Sequence, residues 1–325
     1  MSAAAGPGAA NTLRRFGETP LPSRTPHSPA SGADFRPGAP GGGPGQPGVQ
    51  TDAPHRPALV DVTLRRPARP GAAPVRGLAL HGLAGSAAVW RPYEELALPE
   101  MEWWEAGLPW EAAGDPTWSH RPDPARWVDA ALDAMPGGVD VLFAHSFAAP
   151  LALQALARRP AATRPRAVVV VAPFHRRRPE QFSWETATHY LNGFHRILEE
   201  GLRIGSQGRL GKDLRRDMAL RVRDRVGPYG WLRFFEAYLN SPFLDVAALG
   251  LPVLVVAGAD DFSAPPDDAR ALAAALPDAR LRIFEDCGHF AMAERPQDFA
   301  DAVHTFVHAC FPAIPSPTIP STQRS

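Results

Sequence analysis

The 325-residue chain predicts an α/β domain: a mostly parallel, doubly wound sheet with an inserted helical cap. Two observations carry that prediction. From residue 58 onward, short runs that are apolar throughout alternate with segments of helical periodicity. Strands apolar on both faces belong to a parallel sheet covered by helices on each side. Between Phe174 and Gly250 the strand pattern stops and helix-like stretches replace it, so a cap of about 174–250 is expected between two sheet strands.

The elements follow in order. Leu59, Val60, Val62 and Leu64 alternate as in an outer strand, and Val75–Leu80 forms a second strand ending at His81-Gly82. Ala88–Leu96 has helical spacing, and Met101–Glu105 is a short, tryptophan-rich strand. Trp127, Ala130, Ala131 and Met135 mark a helix over Pro124–Met135, closed by Pro136-Gly137-Gly138. Val139–Ala144 is a continuous apolar run, followed by a small-residue helix over Phe147–Ala157. Ala167–Ala172, with four consecutive valines, is the most strand-like segment. Trp184–Glu200 and Tyr229–Leu239 are helix-like, with glycine-rich breaks at 201–211. Strands are then expected at Pro252–Ala257 and Leu281–Phe284, with helices at Asp267–Ala275 and Pro296–Ala309.

Residues 1–57 are rich in Gly, Pro, Ala and Ser without apolar periodicity, too little apolar surface to offset the entropy of ordering them. A disordered arm is expected there, a similar tail over 312–325, and the folded domain over 58–311. With 34 basic and 34 acidic residues, the chain has no electrostatic footprint of a nucleic-acid or membrane-surface binder. Lys212 is the lone lysine beside many arginines, which reads as nucleotide-composition bias. Two cysteines, Cys287 and Cys310, make no disulfide framework. No 18-residue apolar stretch suggests a membrane span. Arg14-Arg15-Phe16 is followed by Gly17-Glu18-Thr19-Pro20 rather than an apolar segment, so export is not expected and a cytoplasmic location is. Oligomeric state leaves no trace in the sequence.

Three segments carry chemistry. Ala144-His145-Ser146-Phe147-Ala148, Gly258-Ala259-Asp260-Asp261 and Cys287-Gly288-His289-Phe290 each lie just past a strand-like run. They supply a serine, an acid and a histidine in that chain order, which differs from the orders of the two best-known serine protease arrangements. A serine hydroxyl needs a base to take its proton and a sharp strand-to-helix turn to lift it clear of the sheet. That turn crowds the positions two before and two after, where glycine is usual; Ala144 and Ala148 stand there instead. Alone, such a serine could equally be a helix N-cap; the other two segments favour a nucleophile. Among the histidines, His145 adjoins the serine inside the turn, His175, His189 and His195 fall in the cap, and His304 falls in a helix. His289 alone has the loop position of a general base.

Taken with His81-Gly82-Leu83-Ala84-Gly85-Ser86, these segments resemble the α/β-hydrolase superfamily over about 59–311, in the branch with a helical cap. The resemblance implies a catalytic set of Ser146, Asp261 and His289. It favours Asp261 over the adjacent Asp260, which would serve as a turn residue. It also implies an oxyanion hole from the backbone N–H groups of Leu83 and Phe147. Trp110, Trp184 and Phe290 are assigned to substrate binding, within an aromatic set that suits either an apolar acyl group or ordinary core and cap packing. The expected activity is hydrolysis of an apolar small-molecule ester or thioester through an acyl-enzyme, with no cofactor and no metal. Alternatives are non-hydrolytic chemistry at the same site (C–C cleavage, lyase or cofactor-free oxygen and peroxide reactions) or small-molecule binding without turnover.

Overall fold

The protein is described by a computed structural model over residues 59–71 and 73–313. The arm expected over 1–57 and residues 314–325 of the expected tail lie outside the described residues.

Among the described residues, seven strands form one sheet: β1 Val62–Arg66, β2 Val75–Leu80, β3 Met101–Ala106, β4 Val141–His145, β5 Ala167–Val171, β6 Val253–Gly258 and β7 Ala279–Phe284. Their order is β1-β3-β2-β4-β5-β6-β7. Only β1 runs antiparallel, against β3; the other pairings are parallel. Every residue of β4, β5 and β6 is buried, as helices on both faces require of a parallel sheet. Burial of each large apolar side chain there contributes about 1.5–3 kcal/mol.

Among the described residues, eight α-helices accompany the sheet: α1 Arg91–Glu94, α2 Ala125–Ala134, α3 Ala148–Arg158, α4 Trp184–Gly205, α5 Lys212–Asn240, α6 Pro266–Ala275, α7 Ala291–Glu294 and α8 Pro296–Cys310. Helix α3 buries almost its whole first two turns, Ala148 to Leu153, because small side chains let it lie close against the central strands. Among the described residues, no helix is long and apolar enough to cross a membrane.

The helical insertion comprises α4 and α5, between β5 and β6. Its inner face is aromatic: Tyr190 and Phe194 from α4, Phe234 and Tyr238 from α5, all buried. Phe174, just past β5, receives Phe234 edge-on at 4.9 Å and Tyr238 at 5.6 Å. Helix α5 is interrupted at Gly227, whose φ of 65° is left-handed, and Pro228 follows without an N–H to donate.

Three expectations shift. The outer strand begins at Val62 rather than Leu59, because its pairing with β3 starts at Val62 opposite Ala106. The helix expected over Ala88–Leu96 is a 3-10 turn, Ala87–Trp90, followed by the single turn α1. The break expected from residue 201 begins only after Gly205. Gly201 lies inside α4 because a Cβ there would stand 3.1 Å from the Phe290 ring; the glycine makes room for that ring rather than ending the helix.

Candidate active site

Ser146 sits between β4 and α3 with a φ of 57°. A left-handed residue other than glycine costs about 1–3 kcal/mol and persists only where the surroundings impose it. Here the Ser146 amide donates to the Val171 carbonyl at 2.8 Å, and its own carbonyl accepts from Ala149 at 2.9 Å. Ala144 and Ala148, flanking the turn, have no exposed surface, so a methyl is accommodated at both places where glycine is usual.

The chain then brings three distant residues together. The Ser146 hydroxyl donates to His289 Nε2 at 2.9 Å across a separation of 143 residues. His289 Nδ1–H donates to Asp261 Oδ2 at 2.7 Å. That tautomer follows from the carboxylate, which accepts only, and it leaves Nε2 free to accept from the serine. Burial alone would push the Asp261 carboxyl up; the neighbouring His289 and the amides of Ala264 and Ser263 more than offset it, so the group lies below its ordinary range and stays ionised. Asp260 is exposed, its amide donating to the Cys287 carbonyl. Of the two adjacent acids, Asp261 alone meets the histidine.

The His289 loop is held from several sides. Glu294 Oε2 accepts the Gly288 amide at 3.0 Å, and Oε1 accepts the Phe290 amide at 2.9 Å, fixing the residues on either side of the histidine. His145 Nε2–H donates to the His289 carbonyl at 3.0 Å. Burial, and secondarily the neighbouring His289, lower His145 to about 3, so it stays neutral at working pH. At Gly258 a Cβ would collide with the Cys287 and Gly288 carbonyls, so the end of β6 and this loop pass backbone against backbone. Burial pushes the Cys287 thiol up to about 12, which leaves it without nucleophilic thiolate.

Opposite Ser146 runs the 82–85 turn. Gly85 donates to the Gly82 carbonyl at 3.1 Å, and Ala84, at φ 55°, donates to the Trp110 carbonyl at 2.9 Å. A Cβ on Gly82 would stand 3.3 Å from Ser146 Oγ and 2.9 Å from its Cβ, so this backbone lies directly against the hydroxyl. Among the described residues, the amides of Leu83 and Phe147 donate to no backbone carbonyl. Phe147 also caps the N-terminal end of α3, where the helix dipole favours negative charge.

The expected pocket residues part company. Phe290 stands beside His289, its ring centroid 5.2 Å from that of His289 and 5.3 Å from that of His145. Trp110 is buried, and its indole donates to the His81 carbonyl at 3.0 Å; it braces the 82–85 turn from behind. Trp184 is 88% exposed at the start of α4 and stands in solvent, not in a pocket wall. Over the site itself lie Leu83, Phe194 and Leu198, which share one cluster, and Phe234, 6.4 Å from Phe147.

Sequence reasoning missed Ser263, Glu294 and the bracing role of His145. Ser263 follows the acid by two residues, where a serine reads as turn chemistry; its contacts exist only once the loops fold together.

A sheet of this order, with a strained serine past a central strand and a histidine and acid on the following strand ends, defines an α/β hydrolase. A profile described as "Alpha/beta hydrolase family" matches residues 78–302; the chain belongs to that family. It is similar, at 40% identity over 82 residues, to 2-hydroxy-6-oxo-6-(2'-aminophenyl)hexa-2,4-dienoic acid hydrolase of Metapseudomonas resinovorans. That match spans 25% of this chain and 28% of the relative's length. Solved structures share the fold. An enol-lactonase from Burkholderia xenovorans is 16% identical with a TM-score of 0.55, over 76% of this chain and 96% of its own. A thermophilic esterase from Thermogutta terrifontis is 17% identical with a TM-score of 0.54, over 77% and 94%.

Proposed function

We propose that this α/β hydrolase cleaves a carboxylic ester or thioester through an acyl-enzyme on Ser146. The observation that carries the reading is the continuous path from Ser146 Oγ through the His289 ring to Asp261, with contacts of 2.9 and 2.7 Å. His289 Nε2 takes the serine proton as Oγ attacks the acyl carbon. The ionised Asp261 stabilises the imidazolium and keeps its tautomer. The amides of Leu83 and Phe147 receive the negative charge developing on the acyl oxygen; each such donor is worth about 2.7–4 kcal/mol. His289 returns its proton to the departing alkoxide or thiolate, and the acyl group remains on Ser146. Water then attacks, with His289 again taking a proton and returning it to Oγ, to release the carboxylic acid.

The side chains above the site, Leu83, Phe194 and Phe234, are apolar and suit an apolar acyl chain. Ser146 is 8% exposed and His289 2%, so the reacting atoms are largely shielded from bulk solvent.

A second reading is favoured by the 82-residue likeness to the dienoic acid hydrolase: water-dependent cleavage of an activated C–C bond at the same centre. A series of p-nitrophenyl esters and acyl thioesters of increasing chain length, run beside a vinylogous diketone acid, separates the two. The expected result is turnover of esters or thioesters, lost by about 10⁴-fold or more in Ser146→Ala. Wild-type rates in Ser146→Ala would rule the reading out.

A further inference from the structure

The acid loop holds a buried hydroxyl that the three-residue set does not use. Ser263 has no exposed surface and touches both partners of the ion pair. Its Oγ–H donates to Asp261 Oδ1 at 2.8 Å, and the same Oγ stands 2.9 Å from His289 Nδ1. Its amide donates to that Oδ1 at 2.9 Å, and the Ala264 amide does so at 3.0 Å. Asp261 therefore divides its oxygens: Oδ1 carries three donors from its own loop, and Oδ2 is left to His289. The Ser263 carbonyl in turn accepts from the Tyr190 hydroxyl at 2.6 Å, which ties this residue to α4 of the insertion.

We propose that Ser263 is a positioning residue for His289, an inference that rests on reading Ser146, His289 and Asp261 as the reactive set. Two physical effects follow from its place. As a donor to Oδ1 it draws negative charge from the carboxylate and so limits how basic Asp261 makes the imidazole. As a second acceptor beside Nδ1–H it restricts rotation of the ring and keeps Nε2 aimed at Ser146. A hydroxyl serving only to fill space would touch the carboxylate or the ring without bridging both. The bond from Tyr190 makes the alignment depend on α4 being seated, so the base is best aimed when the insertion is closed over the site.

The test is a ¹⁵N-histidine NMR titration of the full chain, with the His289 signal assigned by its loss in His289→Gln, run beside ester kinetics. In Ser263→Ala, the carboxylate loses a donor and presents more charge to the ring. The ring also loses one of its two Nδ1–H acceptors, so the His289 ¹⁵N signals and their pH dependence are expected to differ from those of the wild type. The value of kcat is expected to fall about 10-fold with KM within twofold, a split that a loss of substrate contact would not give. Ser263→Cys keeps a side chain of similar size with a much weaker donor and is expected to change both readouts in the same direction. A folded variant of either kind that titrates as the wild type does, with kcat within twofold, overturns the proposal. Should the wild type turn over no ester, the acyl-enzyme reading falls while the titration still decides the role of Ser263.

Discussion

Gly82 and Ser146 touch where two loops cross, and the contact leaves no space for a side chain. A Cβ at position 82 would lie 2.9 Å from Ser146 Cβ, 3.2 Å from His145 Nδ1 and 3.3 Å from Ser146 Oγ. The nearest neighbours belong to a strained turn that cannot retreat without breaking the Ser146–Val171 bond. In Gly82→Ala the 82–85 turn must therefore move outward and carry the Leu83 amide with it. Ester turnover should fall by about 10²–10³-fold, the effect of losing one oxyanion donor, with the melting temperature lowered by only a few degrees. Turnover within threefold of wild type would show that this turn takes no part in the chemistry. Residues of this kind divide by how visible they are in sequence. Ser146, Asp261 and His289 can be singled out in the sequence, since each follows a strand-like run and is of a residue type that the proposed chemistry would need. Ser263 and Glu294 cannot: a serine after an aspartate and a glutamate before Arg295-Pro296 are ordinary turn and helix-start residues. Their work appears only when the 258–265 and 287–294 loops meet. Trp110 and Trp184 show the opposite error, because aromatic type alone cannot separate a pocket wall from a loop brace or an exposed ring.

At the scale of elements, legibility follows burial. The strands β4, β5 and β6 are covered on both faces and so are apolar at nearly every position, which makes them unmistakable. Edge elements lose that signal. The outer strand pairs on one side only, so Leu64 can stand 41% exposed and the alternating pattern slides toward Val60. Strand β7 carries Arg280 and Arg282 and shows only its last apolar residues. Helix ends shift for a different reason. Glycine at 201 has the look of a break but is retained inside α4 by the Phe290 ring, at a cost of about 1 kcal/mol relative to alanine. At Gly227-Pro228 the break is real, and it divides α5 within the insertion that covers the site.

For the molecule as a whole, buried neutral histidines set the response to acid. Burial lowers His81 to about 4, His175 to about 4 and His145 to about 3, against about 6.5 when unfolded. Between about pH 6.5 and 4 the unfolded chain takes up these protons first, so each histidine removes about 1.4 kcal/mol of stability per pH unit as pH falls. Asp268 works the other way. Burial raises it to about 6, so the folded form binds the proton first between about pH 6 and 4 and recovers part of the loss. Burial also lowers His304, in the sense of the other histidines, and raises Glu105 and Asp129, in the sense of Asp268; the larger shifts of the three buried histidines leave a net decline, and the depressed Asp261 adds to it only below about pH 4. Urea unfolding at pH 5 should give a stability lower than at pH 7 by roughly 4 kcal/mol. A stability that holds level or rises over that interval would mean that these rings are protonated in the fold.

In the proposed chemistry Ser146 is made nucleophilic by His289, and intact-mass spectrometry of the protein after exposure to a fluorophosphonate reads this without any choice of substrate. One adduct is predicted on the wild type, mapping to the peptide that carries Ser146, absent in Ser146→Ala and formed at least about 100-fold more slowly in His289→Ala. A folded wild type that stays unmodified, or an adduct that persists in Ser146→Ala, would contradict it.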